Sequence, residues 1–166
     1  MTLWSRRPAE RLRRQFARAG VKRIVGVRQA QDYLGPIIMV RADAIIDHAL
    51  IAVLKKRLNF LLIGKGPRGR IPLAAHVRGD QAIDIAEVLL GKRPVTPDLL
   101  LLERRPEELE PNDWRTPRKR KTPTAVQVTE ANRAALEWRM VFDALKSAAL
   151  VGNVFSALGR YRSQGR

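Results

Sequence analysis

Residues 60–77 read FLLIGKGPRGRIPLAAHV, and the conformation of their second half decides the fold. Phe60 to Ile63 is a short, bulky apolar run of the kind that forms a buried strand. Gly64-Lys-Gly-Pro-Arg-Gly-Arg70 follows, a glycine- and proline-rich stretch that interrupts regular structure. Ile71 to Val77 then fits two states. As a returning strand it pairs with 60–63, and residues 64–70 become a basic hairpin tip carrying Lys65, Arg68 and Arg70. As a short helix opened by Pro72, it aims its positive end at a glycine-rich turn of the kind that cradles phosphates.

The two states imply different partners. In the hairpin, glycines let a sugar–phosphate backbone come close while the three cations supply charge. The helix before it, ending in Lys55-Lys56-Arg57, gives the order of a winged helix-turn-helix, although its apolar face does not suit base reading. In the other state Gly64, Gly66 and Gly69 spell G-x-G-x-x-G. LLIGKGPRGRIPLAA followed by LLLLER resembles dinucleotide-binding flavoproteins and dehydrogenases over about 45 residues. That resemblance implies a dinucleotide on the glycine turn and Glu103 on its ribose. Glu103 lies 39 residues beyond Gly64 (103 − 64), whereas the family spacing is about 20. Arg68 and Arg70 inside the loop also depart from the pattern.

Working outward, Ala42 to Leu58 reads as one helix with Ile45, Ile46, Ala49, Leu50, Val53 and Leu54 on a broad apolar face and Asn59 at its end. Asp80 suits the N-cap of a helix over 81–90 that Gly91 stops. Val21 to Val27 reads as a short strand, Ile37 to Val40 is too short to type, and Leu99 to Leu102 fits a strand or a helix start. At the front, Ser5, Pro8 and Gly20 bracket a helix with Ala9, Leu12, Phe16 and Ala19 at helical spacing. At the back, Thr129 caps a long helical pattern whose Trp138, Val141, Phe142, Leu145, Ala149 and Phe155 form an apolar stripe. That stripe either docks on its own domain or makes a homo-oligomer. The expectation is an α+β fold: a basic helical arm over 1–20, a mixed core domain over 21–110, a basic Pro-rich linker over 111–125 and a C-terminal amphipathic helix over 126–166.

Charge points to the partner. The chain carries 32 Lys and Arg against 16 Asp and Glu, a formal net charge of +16. Such an excess attracts polyanions, nucleic acid first among them. It is concentrated in three patches. The arm offers Arg6, Arg7, Arg11, Arg13, Arg14 and Arg18, the hairpin offers Lys65, Arg68 and Arg70, and the linker offers Arg118, Lys119, Arg120 and Lys121. Residues 79–110 run the other way, with eight acids against four bases. The expected function is non-catalytic binding of nucleic acid, DNA ahead of RNA, as in accessory proteins of plasmids and phages. A structural or assembly role in a ribosome or virion is the alternative, and dinucleotide binding is the third reading.

Other chemistry has little support. With no cysteine, disulfides, zinc–thiolate sites and cysteine nucleophiles are excluded. His48 and His76 sit among apolar residues. Asp43 and Asp47, four apart on the expected helix, make a solvated acidic stripe rather than a nuclease metal site. Trp114 reads as an anchor of the linker to the core. No enzyme activity, metal or cofactor is expected. No apolar run is long enough to span a bilayer. The arginine-rich N-terminus resembles a mitochondrial transit peptide without its serine enrichment, so a basic arm on a cytoplasmic protein is the expectation.

Overall fold

The structure is a computed structural model that describes residues 8–109 and 122–137. The chain divides into two compact units, Met1–Thr129 and Glu130–Arg166.

Ile71 to Val77 is a strand. β3 (Phe60–Gly66) and β4 (Gly69–Arg78) form an antiparallel hairpin around Pro67-Arg68. β1 (Pro36–Val40) pairs antiparallel with the outer edge of β4. The inner edge of β3 takes two parallel partners in succession. Its first half pairs with β5 (Leu102–Arg104), and Lys65 near its end pairs with β6 (Ala125–Gln127). β6 in turn pairs antiparallel with β2 (Ala44–Ile46), giving a curled sheet of order β1-β4-β3-β6-β2. β3 is apolar on both faces because both are covered. Phe60 and Leu62 face one core cluster with Leu12, Phe16, Leu50 and Leu54, while Leu61 faces a second with Ala75, Val77, Ile85 and Val88. An extra residue at Leu73 in β4 shifts the register after Leu62. As a result consecutive Leu73 and Ala74 both reach the first cluster. The α+β class expected from sequence is the observed one.

Four segment assignments change. Residues 42–58 are not one helix: Ile45 and Ile46 belong to β2, and α3 (His48–Lys56) starts after Asp47, whose side chain caps it by accepting from the His48 N–H. β-branched residues suit the strand, and the cap residue marks the change of period. Residues 21–27 form no strand; 21–26 are irregular and α2 (Val27–Ala30) follows. Leu99 ends a 3-10 turn over Pro97–Leu99 before β5 begins. The tail of the expected linker and the start of the expected C-terminal helix are β6, inside the sheet. The chain turns helical at 130, and Arg133 pairs with Glu137 at 3.2 Å within that second unit.

The basic arm is also a correction. α1 (Pro8–Arg18) buries Pro8, Leu12 and Phe16 along one stripe, and the latter two are each 6 % exposed within the first core cluster. Burial of two such side chains contributes about 1.5–3 kcal/mol each. Gly20 and Val21 end the helix by bonding back to Ala17 and Phe16 at 3.0 Å each, and Val21 packs on the same cluster. Lys55 of α3 donates to the Ala19 carbonyl. The core domain therefore takes in α1 and β6 as well as 21–110.

Candidate nucleic-acid interface

The hairpin register sets the geometry of the first cation group. Lys65 and Arg70 are directly opposed, so their side chains leave the same face of the sheet. Ile63 and Pro72, opposed one step along, share that face. Arg68 is exposed at the turn between Gly66 and Gly69. Like charges placed opposite each other destabilise a hairpin. Among the described residues only Glu107 answers them, reaching Arg70 at 4.0 Å with both side chains about half exposed. Lys65 and Arg68 have no acidic partner among those residues.

On the same face lies a groove of about 850 Å³, bounded by the hairpin, the end of α4 (Ala82–Leu89) and β5. α4 stops in a left-handed Gly91 (φ 72°), with Gly91 bonding back to Val88 at 3.0 Å and Lys92 to Glu87 at 2.9 Å. This closure leaves Lys92 exposed on the groove rim. Five bases, Arg70, Lys92, Arg93, Arg104 and Arg105, line the groove against two acids, Glu103 and Glu108. Arg93 is taken by Asp84 and by Asp98 at 3.6 Å, and Arg105 by Glu108 at 3.2 Å. Arg104 donates to the Glu103 carbonyl at 2.9 Å, and Lys92 has no acidic partner among the described residues. Half-buried Ile63, Pro72 and Val95 supply apolar surface.

Lys92 and Arg104 come from the segment that reads as acidic in sequence. Three of its acids are engaged within it: Asp84, Asp98 and Glu108 bind Arg93 and Arg105. A net charge per segment therefore hides which cations are left over. Neither residue stands in a motif, and only the opposition of hairpin and α4 brings them beside Arg70.

The α1 arginines do not join this group. α1 packs on the face that carries Phe60 and Leu62, opposite to the one bearing Lys65 and Arg70. Arg13, Arg14 and Arg18 are exposed there, whereas Arg11 is half-buried. Burial lowers its pKa from the ordinary arginine value, and the negative charge of Asp47 opposes that shift. Arg6 and Arg7, the tract Arg118, Lys119, Arg120 and Lys121, Trp114, and the stripe from Trp138 to Phe155 lie outside the described residues.

The glycine motif does not adopt the strand–turn–helix form of a dinucleotide-binding turn. A strand follows it, so no helix N-terminus faces the turn where a pyrophosphate would sit. Gly64 serves packing: a Cβ there would overlap Leu73 and come within 2.7 Å of the Ala125 carbonyl oxygen, so glycine is what lets β6 approach β3. Glu103 pairs with Leu61 within the sheet instead of standing at the end of a strand.

The remaining polar residues have structural surroundings. Asp47 caps α3, and Asp43 accepts from Arg41 and from Gln127 at 2.7 Å, so these two acids do not form one helical stripe. His48 is exposed at the start of α3, and half-buried His76 shares a face with Phe60. Among the described residues no group of three His, Cys, Asp or Glu is placed to hold a metal ion, and no helix is long and apolar enough to cross a membrane. No protein family, curated protein or solved structure matches the chain.

Proposed function

We propose that this protein binds nucleic acid without catalysing a reaction, holding phosphates with the β3–β4 hairpin. The observation that carries the reading is the pair Lys65 and Arg70, directly opposed at the end of the hairpin with Arg68 at its tip. Such an arrangement is unfavourable alone and favourable around an anion. The net charge of +16 adds long-range attraction to a polyanion. The exposed Arg13, Arg14 and Arg18 on the opposite face provide a separate, non-specific contribution. The lack of cysteine agrees with a reducing compartment such as the cytoplasm.

The test is titration of labelled DNA and RNA across salt concentration. Each phosphate neutralised lowers the log–log slope by about 0.9 on duplex DNA and about 0.7 on a single strand. A slope equivalent to three or more neutralised phosphates is the expected result. Weak binding that does not change with salt overturns the proposal.

A further inference from the structure

We infer that the groove between the hairpin, the end of α4 and β5 is a site for single-stranded nucleic acid, with base faces against its apolar surface and phosphates along its rim. This rests on the proposed nucleic-acid reading and adds which form of the polymer is bound.

The groove combines two chemistries. Half-buried Ile63, Pro72 and Val95 present apolar surface, while Lys92 and Arg70, the latter with Glu107 at 4.0 Å, stand exposed at the edge. Its volume of about 850 Å³ falls in the range of cavities that enclose a small ligand, about 300–1,000 Å³. A duplex offers a protein its phosphates and the edges of its bases, because the base faces are stacked inside. An unpaired strand exposes base faces and phosphates side by side, which is the combination the groove matches. Arg70 belongs to both the hairpin and the groove, so a strand held at the hairpin leads into the groove. Glu103 fits the same orientation. A carboxylate in the wall repels phosphate and accepts hydrogen bonds from exocyclic base amines, so it favours the base side of the strand inward.

The test compares four probes at one salt concentration on the full chain: a twelve-residue oligo-dT, its oligo-rU equivalent, an abasic oligomer with the same number of phosphates, and a duplex. Oligo-dT or oligo-rU is expected to bind about tenfold tighter than the abasic strand, the equivalent of burying part of one base face against aliphatic side chains. Lys92→Glu, at an exposed position, is expected to weaken the single strands more than the duplex. With oligo-dC added to the probes, the parent is expected to prefer it to oligo-dT through Glu103, and Glu103→Gln is expected to narrow that preference; no preference in the parent overturns the inward orientation of the bases. Equal binding of abasic and base-bearing strands overturns the groove assignment while leaving the hairpin reading intact. Equal weakening on all probes in Lys92→Glu does the same. Binding to none of the probes overturns both readings.

Discussion

Arg41 holds Asp43 in a two-pronged ion pair, with Nε to Oδ1 at 2.9 Å and Nη2 to Oδ2 at 2.8 Å. The pair ties the turn between β1 and β2 to three other elements. Arg41 also donates from Nη1 to the Leu89 carbonyl at the end of α4 and from its backbone to the Leu73 carbonyl at the β4 bulge (2.9 Å). Asp43 accepts from Gln127 of β6, and its carbonyl accepts from the Val128 N–H at 2.8 Å. Burial alone raises the pKa of Asp43. The Arg41 and Gln127 hydrogen bonds and the Arg41 charge outweigh it and hold the carboxyl below its ordinary value of 3.8. A carboxyl with a depressed folded-state pKa stabilises the fold above its unfolded value, and that stability disappears as pH falls through the folded value. The pair is expected to contribute fully above about pH 5 and to weaken as pH falls through 3.8 toward the depressed folded-state value. Chemical denaturation of Asp43→Asn across pH should show a flatter acid limb than the parent. Arg41→Ala should destabilise by about 2 kcal/mol at neutral pH, because it strands a partly buried carboxylate and a helix-terminal carbonyl.

α1 belongs to the core, so cutting it away should unfold the protein instead of merely weakening its hold on a polyanion. Phe16→Ala, at a residue 6 % exposed, is expected to cost about 3–5 kcal/mol, read as a lower denaturant midpoint. Arg13, Arg14 and Arg18 replaced together by Ala should leave that midpoint nearly unchanged, since all three are exposed.

Gly64→Val should separate β6 from β3. The new side chain meets Leu73 and the Ala125 backbone, and the backbone cannot move aside without breaking the Lys65–Val126 pairing. A destabilisation typical of overpacking against main chain is expected (about 1–3 kcal/mol or more). Faster amide exchange at β6 residues relative to β1 would localise the damage.

Replacing Lys65, Arg68 and Arg70 together by Ala is expected to make the salt dependence of DNA binding shallower, by about 0.9 in slope for each phosphate the hairpin had neutralised. Thermal stability should hold or rise, because the change removes the opposed Lys65–Arg70 repulsion along with one exposed ion pair to Glu107. Unchanged binding would make the hairpin a plain turn.

Much of the β3–β4 hairpin is legible in sequence, because Phe60 to Ile63 and the punctuation at 64–70 leave few alternatives; the second strand needs structure, since a helix and a strand share the pattern of 71–77. Gly20 and Gly91 are legible as helix stops for a simple reason: both sit left-handed where a chain must reverse. Ile45 and Ile46 mislead because two apolar neighbours before Leu50 satisfy helical spacing as well as strand burial. Their partner, β6, lies some eighty residues onward, where periodicity has no reach. The docking of α1 is invisible for a related reason. An amphipathic helix rich in arginine looks the same whether its apolar stripe meets its own core or another molecule. The Lys92 rim is hidden by averaging charge over a segment in which Asp84, Asp98 and Glu108 already pair with other cations.

The strand order bears on how the chain is made. β6 is the last of the described strands in sequence, yet it sits between β3 and β2 in the sheet. During synthesis β1 and β3 gain their shared partner once residues 69–78 emerge, and β5 joins β3 soon after, whereas β2, made early, waits for residues 125–127 before any strand is beside it. That pairing joins residues far apart in sequence, so its closure entropy must be met before the contact rewards it, which slows the final step. A nascent chain arrested before residue 125 is therefore expected to hold its hairpin while leaving the edge of β2 open to chaperones.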